Sequence, residues 1–253
     1  MKTIQLRHIT IGRGRPKVIV PIVAATADAI IAKAKEIRLL PIDMVEWRAD
    51  FFEDILDFDR TRAVLQDLRA ALGETPLLFT FRTKNEGGER AVDPADYTAL
   101  NRLAADSGYV DAVDVELFMG DTVARENIRN IHAAGVIVVG SNHDFEKTPD
   151  KDELLRRLRK MQEMGADIPK LAVMPKSRAD VLTLLCATEE MYTNYANRPI
   201  VTMSMSGLGA VSRVCGGAFG SAMTFGAVGQ VSAPGQIAAE RLNTALEILH
   251  EAL

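Results

Sequence analysis

At 253 residues and 27.6 kDa the chain can bury a large core, and 47% hydrophobic against 25% charged residues is the balance of a globular protein. With 30 basic and 34 acidic side chains the net charge is −4, which argues against nucleic acid or another polyanion as the main partner, and no apolar stretch approaches the roughly 20 residues needed to cross a bilayer. The segment Met1 to His8 scatters its charges and holds no apolar signal core, so a cytoplasmic protein is expected. Cys186 and Cys215, the two cysteines, are too few for a disulfide framework and read as packed thiols.

Taken in chain order, Thr3 to Leu6 and Ile9 to Ile11 flank Arg7-His8 and predict a small hairpin, placed to close the bottom of the fold. Eight short β-branched runs follow, near Lys17 to Val23, Ile42 to Arg48, Leu77 to Arg82, Ala112 to Leu117, Val136 to Ser141, Lys170 to Met174, Ile200 to Met205 and Ser221 to Ala227. Each crossover carries one amphipathic pattern. Asp93-Pro94 and Thr148-Pro149 predict helix starts, and Leu154, Leu155, Leu158 and Met161 give the basic stretch Lys151 to Lys160 a buried stripe beneath a solvated face. Eight strand and helix units predict an α/β fold of the (β/α)8 TIM-barrel type, with residues 1–253 as one domain; an open doubly wound sheet is the lesser alternative.

Functional groups of such a barrel gather at the C-terminal ends of its strands. Glu46 and Arg48 end the second strand, two residues apart and therefore on one face, directed inward if Val45 and Trp47 face the helices. Arg82 ends the third, followed by a loop in which Gly87-Gly88 permits a sharp bend and Glu86 can reach a neighbour. Asp114 and Glu116 end the fourth, and Asn142, His143 and Asp144 follow the fifth. Met203 and Met205 share a face of the seventh, before a glycine-rich turn leading to Arg213, whose planar guanidinium suits a carboxylate or phosphate. The glycines there lack the third member and the acidic residue of a dinucleotide fingerprint. Gly229 to Gln236, with Ser232 and Gln236 as hydrogen-bonding groups, reads as a lid.

The most informative position is Lys170, a single amine inside the apolar run Ile168 to Met174. Enclosure by aliphatic neighbours disfavours the ammonium and frees a nucleophile able to form imines with ketones and aldehydes. His143, at the mouth end of the preceding strand, can move the protons that imine chemistry requires, with Glu86 to orient its ring. His8, His132 and His250 read as structural. Ligand-spaced histidines and carboxylate clusters are missing from the sequence, so no metal is expected. An imine-forming enzyme, such as a Schiff-base aldolase acting on a phosphorylated sugar, and a non-catalytic metabolite-binding barrel both accommodate these features.

The strings EWRADFF from Glu46, LLFTFRTKNEGGE from Leu77, DVELFMGD from Asp114, SNHDFEKTP from Ser141, RKMQEMGADIPKLAVMP from Arg159, TMSMSG from Thr202, FGSAMTFGAV from Phe219 and SAPGQI from Ser232 resemble those of the type I 3-dehydroquinate dehydratase family over essentially the whole chain. This resemblance implies a β/α barrel, a homodimer, no metal or organic cofactor, and a shikimate-pathway lyase that converts 3-dehydroquinate to 3-dehydroshikimate by syn elimination of water through a lysine imine. By motif it implies imine formation at Lys170, proton transfer at His143 held by Glu86, ring-hydroxyl contacts from Glu46, Arg48 and Arg82, carboxylate binding by Arg213, and closure by Ser232 and Gln236, with Met203 and Met205 lining the site. Two departures stand out. Val20 to Thr26 lacks a Gly-Lys pair common among relatives, so no substrate contact is assigned there, and Val214-Cys215-Gly216-Gly217 lacks a glutamate that many carry.

Overall fold

The computed structural model describes residues 3–229 and 232–252. A hairpin of β1 (Ile4–Leu6) and β2 (Ile9–Ile11) precedes eight parallel strands: β3 (Lys17–Ile22), β4 (Met44–Arg48), β5 (Leu77–Thr80), β6 (Ala112–Glu116), β7 (Ile137–Asp144), β8 (Ile168–Val173), β9 (Val201–Ser204) and β10 (Met223–Ala227). Consecutive strands are neighbours from β3 to β9, and β10 returns to pair with β3. The remaining seam, between β9 and β10, is joined by the Ile200–Ser221 bridge and by the Ser221 hydroxyl, which accepts from Thr202 N at 3.1 Å. The strands therefore curl into the expected barrel rather than an open sheet. A short β11 (Ile237–Ala238), absent from the sequence reading, adds parallel to Gly226 and Ala227 of β10.

Helices α1 (Ala27–Ile37), α2 (Phe58–Leu72), α3 (Pro94–Asp106), α4 (Asp121–Ala133), α5 (Lys151–Met164), α6 (Arg178–Glu190), α7 (Ser206–Cys215) and α8 (Ala239–Glu251) pack outside. Asp93 caps α3 with Pro94 in its first turn, as expected. The start of α5 differs: Asp150, not Thr148, accepts from the Glu153 amide, because the Thr148 hydroxyl is spent on the Met174 carbonyl at 3.1 Å. Cys186 is exposed, since it falls between the inward stripes of α6 formed by Leu184, Leu185, Ala187 and Thr188; Cys215 is half-buried. Among the described residues, no helix is long and apolar enough to cross a membrane.

Alternation along the strands makes two cores. Outward residues such as Val45, Trp47, Phe79, Val113, Val115 and Leu171 pack on the helices. Inward, Ile19, Met44, Leu78, Ala112, Val139, Ile168, Val201 and Met223, one from each barrel strand, form an apolar floor, and Leu6, Ile9 and Ile11 of the hairpin pack against it from below. The hairpin is pinned by Arg7, which donates to Asp111 (2.6 Å) and Glu74 (3.1 Å).

Candidate active site

Two and four residues further along four of the strands, the inward positions change from apolar to polar: Glu46 and Arg48 on β4, Asp114 and Glu116 on β6, Ser141 and His143 on β7, and Lys170 on β8. Of these, Glu46, Arg48, His143 and Lys170 line one cavity together with Arg82 just beyond β5, Met203 and Met205 at β9, Arg213 on α7, Phe225 on β10 and Ser232 and Gln236 from the segment beyond β10. Every site residue expected from the sequence lines it, and Val20 to Thr26 contribute nothing to its wall.

Lys170 is 3% exposed, with its side chain inside the barrel. Its enclosure is not the purely aliphatic one expected. Apolar neighbours in the chain face the helices, whereas the amine meets groups from across the barrel: it donates to Asp114 Oδ2 at 3.1 Å, lies 3.8 Å from Glu46 Oε1 and sits 4.5 Å from the centre of the Phe225 ring. Glu46 also accepts from the Thr80 hydroxyl at 2.9 Å. Asp114 is wholly buried; its other oxygen accepts from Arg82 (2.8 Å) and Ser141 (2.6 Å). Burial alone would raise the Asp114 pKa, but Arg82, Lys170 and the Ser141 hydroxyl outweigh it and hold the carboxylate below its ordinary range.

His143 stands on β7 rather than in the loop after it, because pairing with β8 continues to Asp144↔Val173. Its backbone N–H and its Nδ1 both lie 2.9 Å from Glu86 Oε2, while Asn142 donates to Oε1 at 3.0 Å. Gly87 carries φ of +83°, and a Cβ on Gly88 would strike the Arg82 carbonyl, so both glycines are needed to fold Glu86 back over the strand ends. Burial first, then Arg82, Lys170 and Arg48, hold the His143 pKa well below its usual value. Burial and the Glu116 carboxylate push Glu86 up to about 8, against the opposing pull of Arg82 and the Asn142 amide. The ring is thus neutral, and when Glu86 is ionised Nδ1–H donates to it and leaves Nε2 free for chemistry.

The three arginines differ in their partners. Arg82 is saturated by Asp114, Glu116 (2.9 Å) and Ser141 (3.0 Å), with Glu86 at 3.6 Å, and these carboxylates raise its pKa despite burial. Arg48 forks onto Asp50 (2.8 and 2.7 Å) rather than pairing with Glu46, and reaches the Ser232 carbonyl at 3.3 Å. Arg213 is 1% exposed and, among the described residues, has no carboxylate partner; it touches the Phe225 and Pro234 carbonyls (3.5 and 3.1 Å), and its Nε has no acceptor. Burial pushes its pKa down to about 10. A buried, unneutralised guanidinium is a receptor for an anion.

Of the segment expected as a lid, Ser232, Ala233 and Gln236 stand in the cavity wall, where Ser232 N donates to Gln236 Oε1 at 2.8 Å and Gln236 Nε2 to Ser232 Oγ at 2.9 Å. Gly235, at φ +78°, passes so close to Ser206 that a Cβ there would collide with its carbonyl, and Ser206 N donates to the Pro234 carbonyl at 3.1 Å. Gln230 and Val231 of this segment lie outside the described residues. Sequence reasoning placed Asp114 at a strand end but missed its contact with Lys170, and missed Asp50 and Phe225 altogether. For Asp114 the signal was the inward alternation of Asp114-Val115-Glu116.

Comparisons with known proteins agree with one another. A family model described as Type I 3-dehydroquinase matches residues 18–252. A 3-dehydroquinate dehydratase of Clostridioides difficile (strain 630) is 51% identical over 252 residues, spanning 100% of this chain and 99% of its own. One from Escherichia coli O17:K52:H18 (strain UMN026 / ExPEC) is also 51% identical over 252 residues, spanning 100% of both. A crystal structure of type I 3-dehydroquinate dehydratase from Clostridium difficile, with covalently modified comenic acid, has a TM-score of 0.97 at 51% identity, covering 100% of this chain and 99% of that one.

Proposed function

Because the chain belongs to the type I 3-dehydroquinase family, we infer that it is a hydro-lyase that removes water from 3-dehydroquinate through an imine, and that Lys170 is the residue that forms it. One observation carries this assignment of roles: a lysine amine, a neutral imidazole and an unpaired guanidinium meet in one cavity. A keto acid needs these three groups, for its carbonyl, its acidic C–H and its carboxylate.

The Lys170 amine adds to the C3 carbonyl to give a carbinolamine, which loses water to become an iminium. Its C=N⁺ bond withdraws electrons from C2, so His143, a weak base, can take the C2 proton through the nitrogen not bonded to Glu86. The electron pair released runs into the C=N⁺ bond to make an enamine; its return expels the C1 hydroxyl, which leaves as water with the proton His143 had taken. Hydrolysis of the conjugated iminium restores the amine and releases 3-dehydroshikimate. Arg213 holds the carboxylate, Glu46, Arg48 and Arg82 face the ring hydroxyls, Met203 and Met205 form the apolar wall, and Ser232 and Gln236 close the mouth. The reading includes a homodimer working in the cytoplasm; sedimentation would report twice the 27.6 kDa chain mass.

Borohydride reduction in the presence of 3-dehydroquinate, followed by peptide mass spectrometry, tests the assignment. The adduct is expected on the peptide that contains Lys170. Enone product appearing without that adduct, or with an adduct on another lysine, would remove Lys170 from the role.

A further inference from the structure

We propose that Asp114 is the counter-ion of the reacting nitrogen and keeps the imine on Lys170 protonated until C2 has given up its proton. This rests on the imine reading above and adds a residue to it. Asp114 Oδ2 is 3.1 Å from Lys170 Nζ, nearer than Glu46 Oε1 at 3.8 Å. The carboxylate cannot swing away: Oδ1 is held by Arg82 (2.8 Å) and Ser141 (2.6 Å), and the residue is 0% exposed. Other groups around the pair are Glu116 on its own strand, Glu46 from β4, Glu86 from the loop after β5, His143 from β7, and the Tyr97 hydroxyl of α3, which touches the backbone of β6. Arg48 and Arg213 face the same cavity, and the Phe225 ring lies on the nitrogen's other side at 4.5 Å.

Charge is conserved when an ammonium and a ketone become an iminium and water, so a fixed carboxylate meets a positive nitrogen before and after the covalent bond forms. A deprotonated imine is a poor electron sink, and a neutral C=N would leave the C2 proton beyond the reach of a weak base. A carboxylate at hydrogen-bond distance in a buried setting favours the N–H⁺ form. Asp114 therefore matters most at alkaline pH, where an unsupported iminium loses its proton.

The test compares the wild-type enzyme with Asp114→Asn, measuring kcat against pH and the borohydride-trapped adduct. The variant is expected to still yield an adduct on Lys170, with the alkaline limb of its kcat profile displaced downward by about one pH unit or more, so that kcat near pH 9 falls roughly tenfold further than near pH 7. A residue serving only to anchor Arg82 would lower kcat without moving that limb, and this result overturns the proposal. Absence of adduct in the wild type would instead sink the imine reading itself. Should the variant fail to fold, difference Raman of the wild-type product imine replaces it: a C=N band that moves to lower frequency in D2O from about pH 7 to about pH 9 is expected, and an unmoved band overturns the proposal.

Discussion

A single carboxylate oxygen, Oε2 of Glu86, lies 2.9 Å from both the backbone N–H and the Nδ1 of His143. When Glu86 is anionic, Nδ1–H donates to it and Nε2 is free to accept a proton. Adding a proton to the pair places an O–H opposite Nδ1 and transfers the ring's own hydrogen to Nε2, which abolishes the base. The acid limb of kcat/KM therefore rises with pH through one ionisation that belongs to the pair. In Glu86→Gln the limb should move about one unit or more to lower pH, because His143 then titrates alone and is held low by burial and by Arg82, Lys170 and Arg48. A pH profile of the variant that overlays the wild type would contradict this coupling.

Replacing Lys170 with alanine should lower turnover by roughly 10⁴-fold or more and eliminate the borohydride adduct. Removing this charge also leaves Asp114 and Glu46 short of a partner, so the melting temperature should fall; Lys170→Met, which fills the same volume, loses no less activity. Residual enone production within about tenfold of wild type would exclude a covalent role for this residue.

For His143→Ala the two halves of the reaction should separate. Imine still forms and accumulates on Lys170, while elimination slows by about 10²- to 10⁴-fold. Rapid-quench trapping followed in time measures both, and parallel loss of the two would assign the ring to an earlier step.

Arg213→Gln should raise KM by roughly 10- to 100-fold with a smaller change in kcat, since the guanidinium holds the ground state and transition state alike. Calorimetry with quinate, which keeps the carboxylate and lacks the ketone, provides the matching readout. Unchanged affinity would leave the orphaned Nε without a ligand.

Gly235→Ala combines a left-handed backbone with a collision against the Ser206 carbonyl. Its effect should fall on closure: kcat/KM drops several-fold while the melting temperature moves by less than about 2 °C, because the segment lies outside both cores. Limited proteolysis faster in the variant than in the wild type would accompany this loss; equal rates would place the strain elsewhere.

Chain-local information predicted the barrel well, because strands buried on both faces and helices with one buried stripe each leave a periodicity within a single element. Lys170 was conspicuous for the same reason, a charge where a buried strand has none. What the sequence could not reveal depends on register across the barrel. Asp114 and Lys170 are 56 positions apart and two strands removed, and only the staggered pairing of β6, β7 and β8 brings them to 3.1 Å. Competition between local partners explains the smaller errors: Asp150 outdid Thr148 as a cap, and β8 drew His143 into a strand. The two-residue β11 has no periodicity to detect.

The N-terminal hairpin seals the floor beneath the eight inward residues, which turns the reaction chamber into a cul-de-sac. The ligand enters and leaves past Arg48 and Arg213, the arginines that also grip the carbonyls of Ser232 and Pro234, and the water set free when the imine forms can be held inside for its later hydrolysis.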